Sequence, residues 1–196
     1  MNSLTIDDKK TNFESLAGKF LISSPYAFAN DVFNKSLIYV MSHNENGAIG
    51  LIVNRLAQKL PANAVLKLFK DDNNHSELAM SVYVGGPVEP ERGFVLHTPE
   101  YSKNLLLHLD GDLAVSSNIE ILRDIAHGTG PQHSLLVLGY TGWSAGQLET
   151  EIQKNMWIIS HSSRDIIFSD VENKWDAALS KMGIDNASFS PHAGHC

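Results

Sequence analysis

The sequence is nearly devoid of cysteine. Cys196 is the only one in 196 residues, so an intrachain disulfide is excluded and a cysteine-rich zinc site is not expected. Long apolar runs are also missing, since none approaches the roughly 20 residues that cross a bilayer as a helix. The first residues, Met1–Thr11, are polar and include two aspartates, unlike a signal peptide. These absences predict a cytoplasmic protein without membrane contact.

Clustered positive charge is missing as well. The chain carries 15 lysines and arginines against 22 aspartates and glutamates, a formal net charge of -7, and its only adjacent basic pair is Lys9-Lys10. Proteins that bind nucleic acid rely on basic patches that neutralise phosphates. Direct binding to nucleic acid is therefore not expected, and the partner would be a protein or small molecule of unknown identity.

The hydrophobic content of 43% is ordinary for a globular protein. A chain of this length is enough for one full core, and no linker or internal repeat divides it. We therefore expect a flexible arm at residues 1–15 followed by a single domain at residues 16–196.

Short β-forming runs separated by turn residues dominate the pattern. Leu37–Met41 and Ile49–Val53 flank the polar stretch His43–Gly47, and Leu105–Leu109 and Leu113–Val115 flank Asp110-Gly111, so each pair predicts a hairpin. Further strands are predicted at Phe20–Ile22, Val82–Val84, Phe94–Leu96, Leu135–Leu138, Met156–Ile159 and Ile166–Phe168.

Helices are interspersed among these strands. One is predicted from Pro61, with Val65, Leu66 and Phe69 on one face, before a mobile polar loop at Lys70–Glu77. Three more are predicted from capping-box spacings, at Ser117-x-x-Glu120, Ser144-x-x-Gln147 and Ser169-x-x-Glu172, with the first and third ending at Gly128 and Gly183. Hairpins mixed with helices predict an α+β fold with a mainly antiparallel or mixed sheet.

Two glycine-bearing segments, Gly85-Gly86-Pro87 and Gly139–Gly146, each follow a β-rich run. Because glycine lets a ligand or another backbone approach closely, we predict that the segments lie side by side and line one cleft. The candidate binding residues are Gly85, Gly86, Pro87, Arg92, His97, Tyr140, Trp143, Gln147 and Glu149. The alternative is that the glycines only turn the chain while Tyr140 and Trp143 pack in the core. Neither segment is a P-loop, and G-x-G-x-x-G is absent, so no cofactor is expected.

Gly142–Gly146 also matches the G-x-S-x-G pattern of a nucleophile elbow. A nucleophilic Ser144 would need a base such as His161, His192 or His195 and an acid such as Asp165 or Asp170. The hairpin-rich pattern does not suit the parallel sheet of an α/β-hydrolase, however, and Ser144 is the natural N-cap of the next helix. We therefore interpret it as a cap and assign no catalytic residue.

Metal binding has one sequence candidate. His192-x-x-His195-Cys196 has plausible ligand spacing, but it lies in a terminal segment where adventitious binding is the simpler interpretation. No metal is expected.

Several blocks of the chain together resemble a known family. They are Phe33–Tyr39, His43–Arg55, Gly85–His97, Leu138–Ile152 and Ala193–His195, and in this order they resemble the AlgH/YqgE family of uncharacterised bacterial proteins. This chain departs from the family pattern at Ser42, where an acidic residue is usual, at Ser144, where glycine is common, and at Cys196, where alanine is usual.

The resemblance implies one compact domain in which a strongly bent sheet closes into a pseudo-barrel packed with helices. It implies no settled activity, although the member that gives the family its name is described as a transcriptional regulator of alginate synthesis. We therefore expect a non-enzymatic regulatory or interaction protein. The alternative is a hydrolase or other enzyme with its site between Gly85-Gly86-Pro87 and Tyr140–Glu149.

Overall fold

A computed structural model describes residues 14–29, 31–68, 79–108, 113–169 and 172–184. The strands in these residues are β1 (Lys19–Ser23), β2 (Leu37–Asn44), β3 (Gly47–Ile52), β4 (Leu56–Pro61), β5 (Ala79–Val84), β6 (Val88–His97), β7 (Leu107–His108), β8 (Ala114–Ser116), β9 (Ser134–Ser144) and β10 (Trp157–His161). The helices are α1 (Ala62–Leu68), α2 (Ile119–Ala126), α3 (Gln147–Gln153), α4 (Arg164–Ile167) and α5 (Lys174–Lys181). No helix in these ranges is long and apolar enough to cross a membrane.

The long strand β9 organises the sheet. Its first part lies between β5, which it pairs in parallel, and β6, which it pairs antiparallel. Its last four residues, Thr141–Ser144, pair antiparallel with β3 instead. Because β9 changes partner along its length, the sheet bends, and its main path runs β10-β1-β2-β3-β9-β6-β8-β7 with β4 and β5 joined at the side.

One hydrophobic core lies inside the bend. Alternate residues of a strand face the same side, and the inward-facing residues of most strands belong to this one cluster. Its large members include Phe20, Ile22, Leu37, Tyr39, Met41, Leu51, Phe94, Leu96, Leu135 and Val137. Helices α4 and α5 close one end, where the indole N–H of Trp175 donates to the carbonyl oxygen of Ser23 at 3.0 Å.

Two further clusters cover the outer face of the sheet. In one cluster, Leu66 of α1 and Ile121 of α2 pack on strands β5, β6 and β9, where they meet residues such as Leu136. In the other cluster, α3 and the segment around Phe28 pack on β1, β2 and β3, with Trp143 and Trp157 between them. The bent mixed sheet in a single α+β domain is confirmed, while its end strands β10 and β7 are not paired with each other in the described ranges.

Both predicted hairpins are confirmed, since β2 pairs with β3 and β7 with β8, although the Asp110-Gly111 turn lies outside the described residues. The helix ends at Gly128 and Gly183 are confirmed by their left-handed φ angles of 73° and 74°. Phe69, the loop Lys70–Glu77 and the first 13 residues of the arm also lie outside the described part.

The capping-box predictions at Ser117 and Ser169 are wrong. Asn118 caps α2 by accepting from the Ile121 N–H at 3.1 Å, and Asn173 caps α5 by accepting from the Asp176 N–H at 3.2 Å. Asparagine is as good an N-cap as serine, so the choice between neighbouring candidates depends on where the chain meets the core.

The strand predicted at Ile166–Phe168 is wrong too, because these residues lie in and just after α4. Ile166 and Ile167 are both buried in the inner core. A strand would direct two consecutive side chains to opposite faces, whereas one helical turn buries both.

Candidate functional site

The two glycine segments meet where β3, β5 and β9 come together. The Gly85 N–H donates to the Leu138 carbonyl at 2.7 Å, and the Gly85 carbonyl accepts from the Ile52 N–H at 2.9 Å. A Cβ atom on Gly86 would lie 2.2 Å from the Tyr140 carbonyl oxygen, and one on Gly139 would lie 2.6 Å from that of Gly86. The predicted contact between the segments is therefore confirmed. Backbone fills the space between them, which favours the alternative that these glycines serve only the course of the chain. A binding role for Gly85, Gly86 and Pro87 stays a prediction.

An open groove lies beside this junction, at the end of the inner core that α4 and α5 do not close. We call it the mouth groove. One part, of about 240 Å³, is lined by Met41, Ser42, Ile49, Arg92, Phe94, Leu106, Leu107 and Tyr140. The adjoining part, of about 400 Å³, is lined by Ser42, Asn44, Asn46, Gly47, Ala48, Ile49, Val88, Tyr140, Gly142 and Trp143. The shared residues Ser42, Ile49 and Tyr140 make the two parts continuous.

The groove is apolar because it is the uncovered end of the inner face of the bent sheet. Ile49 precedes the buried Leu51 by two residues on β3, so it faces the inner side of the sheet. Its side chain is nevertheless 38% exposed, and those of Val88 and Leu106 are 37% and 42% exposed. Large apolar side chains grouped in this way on a surface are typical of a binding site.

A small polar cluster borders the groove. Glu89 accepts from the Arg92 guanidinium at 3.0 Å and from the Tyr140 hydroxyl at 3.3 Å. The Arg92 guanidinium also lies over the Phe94 ring, 5.1 Å from its centroid. Desolvation of the phenol, followed by the charge and hydrogen bond of Glu89, raises the pKa of Tyr140. Tyr140 therefore stays a neutral donor with one face towards the groove.

Trp143 and Gln147 belong to a different cluster, centred on Glu151. One carboxylate oxygen of Glu151 accepts from the indole N–H groups of Trp143 at 2.8 Å and Trp157 at 2.7 Å, and the other accepts from the Gln147 amide at 3.0 Å. Trp143 is buried, and its ring packs edge-on against that of Trp157. This arrangement matches the alternative in which the tryptophan packs in the core.

Ser144 is neither an N-cap nor part of a catalytic dyad in this arrangement. It is the last residue of β9, and α3 begins three residues later with Gly146 at the N-cap position. Its hydroxyl and its backbone N–H both donate to the Gln147 side-chain oxygen at 3.1 Å. The predicted cap is wrong because β9 continues through Gly139 and Gly142 to Ser144, where the glycine pattern predicts a turn.

Glu149 is not among the residues that line the mouth groove, and it pairs with His43. The buried imidazole donates from Nε2 to the Glu149 carboxylate at 2.8 Å and accepts at Nδ1 from the Leu16 N–H at 3.0 Å. Because Nδ1 is an acceptor here, the ring N–H that faces Glu149 lies on Nε2. The pair ties the segment before β1 to α3.

His97 is fully buried on β6. Its ring bonds the Thr98 carbonyl through Nδ1 at 2.8 Å and the Ser116 hydroxyl through Nε2 at 3.0 Å. Burial lowers the pKa of His97, against the raising effect of the Thr98 carbonyl. Ser116 is fully buried as well, so this serine–histidine pair is closed to any substrate.

Comparison with known proteins gives consistent results. A family model described as AlgH-like matches residues 20–187. The chain belongs to the AlgH-like family. UPF0301 proteins of Rickettsia typhi and Rickettsia prowazekii are each 48% identical over 184 residues, covering 93% of this chain and 97% of theirs. The solution structure of the AlgH protein from Pseudomonas aeruginosa matches with a TM-score of 0.72 and 34% identity over 100% of both chains. A protein from Corynebacterium diphtheriae, 18% identical, shares the fold with a TM-score of 0.63 over 87% of this chain and 88% of its own.

In this AlgH-like chain, the candidate residues predicted from the sequence fall into separate places. Arg92, Tyr140 and Trp143 line the mouth groove, whereas Gln147, Glu149 and His97 bond elsewhere. No sequence pattern distinguishes Ile49, Val88 and Leu106 from core residues, since an exposed apolar residue and a buried one look the same in sequence. Glu151 was not predicted either, although the i,i+4 spacing from Gln147 places the two on one helix face.

Metal ligands form no cluster in the part of the AlgH-like chain that is described, where no group of three or more histidine, cysteine, aspartate or glutamate side chains could hold an ion. The tail candidates His192, His195 and Cys196 lie outside that part.

Proposed function

We propose that this chain is a non-enzymatic interaction protein that binds its partner at the mouth groove. The observation that carries this proposal is that the inner face of the sheet, closed by helices at one end, is left open at the other with Ile49, Val88 and Leu106 exposed. Ligand sites in proteins combine a largely apolar lining with a few placed polar groups. The mouth groove has this composition, with Ser42, Tyr140 and Arg92 as its polar groups.

The environment of the serines and histidines supports binding rather than hydrolysis. The Ser144 hydroxyl donates to Gln147, and the bonded pair His97–Ser116 is fully buried. A nucleophile must be reachable and bonded to a base, and neither serine meets both conditions. A regulatory role in the cytoplasm, exerted through a bound partner, is part of the proposal, and the net charge of -7 supports a partner other than DNA.

The proposal is tested by NMR titration of the 15N-labelled protein with indole, a small apolar probe. We expect the largest shifts at the amides of Ser42, Ile49, Tyr140 and Gly142, because these residues line the groove. Ile49→Asp should remove these shifts, since a carboxylate would enter the apolar lining.

Ile159→Asp is the matched control. Ile159 is 37% exposed, nearly as Ile49 is, but it lies on β10 at the far end of the sheet. This variant should keep the indole response. Indole shifts that cluster away from the groove, or that survive unchanged in Ile49→Asp, would contradict the proposal.

A further inference from the structure

The last residues of β9 have an open edge. Thr141–Ser144 pair with β3 on one side, and the pairing with β6 on the other side ends at Tyr140, opposite Val88. Within the described ranges no strand pairs with the outer edge of these four residues. An open strand edge is a template for an added strand, because its N–H and C=O groups lie in a row.

The hydrogen bond of Ser144 shows which residues face this edge. Its N–H donates to the Gln147 side chain rather than to β3. Residues two apart on an antiparallel strand direct their backbone groups to the same edge, so Gly142 directs its N–H and C=O there as well. Gly142 is exposed and has no side chain to obstruct an approaching backbone.

The open edge and the mouth groove are adjacent. Gly142 lines the groove, and its partner across the ladder is the exposed Ile49. In a strand, side chains project alternately to either face. A strand added at Gly142 would therefore place every second side chain on the groove side, next to Ile49, Val88 and Tyr140.

The charge around the groove selects among peptides. The β2–β3 turn carries Glu45 between the groove residues Asn44 and Asn46, and Glu89, which bonds Arg92 and Tyr140, follows the groove residue Val88 on β6. Two carboxylates against the one guanidinium of Arg92 favour a partner with positive charge.

We propose that the occupant of the mouth groove is an extended, basic peptide segment of another protein, which adds as a strand to the Thr141–Ser144 edge and places an apolar side chain in the groove. Backbone pairing at Gly142 supplies a sequence-independent part of the binding, and the groove selects the apolar side chain. This inference rests on the proposed function and names the class of partner.

The test uses a fluorescent peptide of about seven residues that alternates lysine with leucine, close to the usual length of a strand. We expect saturable binding by fluorescence anisotropy, together with slowed hydrogen exchange of the Gly142 amide. The same peptide with glutamate in place of lysine should bind at least about tenfold more weakly, because the rim is acidic. A peptide with serine in place of leucine should also bind more weakly.

Gly142→Leu is the blocking variant. A Cβ atom at Gly142 meets its nearest atoms at 3.8 Å and 3.9 Å, so the leucine is accommodated and extends beside Tyr140 in the groove. It should weaken peptide binding about tenfold or more. Gln58→Leu, at an exposed position of β4, is the matched control and should bind the peptide as the unmodified chain does.

Several outcomes would overturn the inference. Equal binding of the lysine and glutamate peptides, undiminished binding to Gly142→Leu, or binding without protection of the Gly142 amide each contradicts strand addition. Concentration-dependent self-association that protects Gly142 would instead assign the edge to a second copy of this chain. Indole binding in the groove without peptide binding would leave the proposed function standing and remove this inference alone.

Discussion

Replacing Gly86 by alanine is expected to destabilise the fold by about 3–5 kcal/mol, from backbone strain and from two weakened hydrogen bonds. Gly86 has a φ angle of 155°, a conformation that costs a residue with a side chain on the order of 1–3 kcal/mol. The new Cβ atom would also lie 2.2 Å from the Tyr140 carbonyl oxygen, so the two backbones must separate. That separation weakens the bonds of Gly85 to Leu138 and Ile52, each worth about 1 kcal/mol.

The assay is urea denaturation followed by tryptophan fluorescence. Trp143, Trp157 and Trp175 are all buried, so their emission reports loss of the core. Gly142→Ala on β9 is the contrasting variant, because Gly142 has no positive φ and a Cβ atom there makes ordinary contacts at 3.8 Å and 3.9 Å. It should stabilise the protein by about 0.4–1 kcal/mol through a less flexible unfolded chain.

The reasoning is refuted if the free energy of unfolding of Gly86→Ala lies within about 1 kcal/mol of that of the unmodified protein. Backbone strain and separation of the two backbones would then both be absent. It is also refuted if Gly142→Ala is destabilised as strongly as Gly86→Ala. Either result would mean that the junction of β3, β5 and β9 is looser than the contact distances require.

Three further predictions concern single side chains. Glu151→Ala should cost about 2–4 kcal/mol, because two indole N–H groups lose their acceptor, whereas the exposed Glu45→Ala should stay within about 0.5 kcal/mol in the same urea assay. Asn118→Ala should lower the free energy of unfolding by about 1 kcal/mol, because α2 loses its N-cap. Ser144→Ala should lower it by less than about 0.5 kcal/mol. Equal losses of stability in the two variants would mean that Ser144 is a cap after all. Burial lowers the pKa of His97 in the folded protein below 6.5, so as the pH falls the imidazole takes up a proton in the unfolded chain before it does so in the folded one. The free energy of unfolding therefore falls as the pH drops from 6.5 towards the pKa of His97 in the folded protein. His97→Asn should therefore give a shallower loss of stability between pH 7 and pH 5 than the unmodified protein, and an unchanged slope would contradict the argument.

Much of the local structure is determined by residues that are close in sequence, so it can be predicted from the sequence. The hairpin between β2 and β3 follows from β-forming runs around Asn46-Gly47, and Gly128 and Gly183 end helices because glycine adopts left-handed φ angles readily. Four of the five blocks that carry the family resemblance lie within residues 20–187, which the AlgH-like family model matches, and Ala193–His195 lies beyond them. These features depend on a few residues in a row, which is why the sequence by itself determined them.

The functional surface depends on contacts that the order of residues does not reveal. Gly85, Gly86 and Gly139 were recognised as neighbours, but whether backbone or ligand fills the space between them depended on how closely β5 and β9 approach. Ile49 and Leu51 look alike in sequence, and only the packing of the whole inner core leaves Ile49 exposed while Leu51 is buried. Burial is a property of the whole packed chain, so the tertiary structure alone decided where the inner face of the sheet opens to a partner.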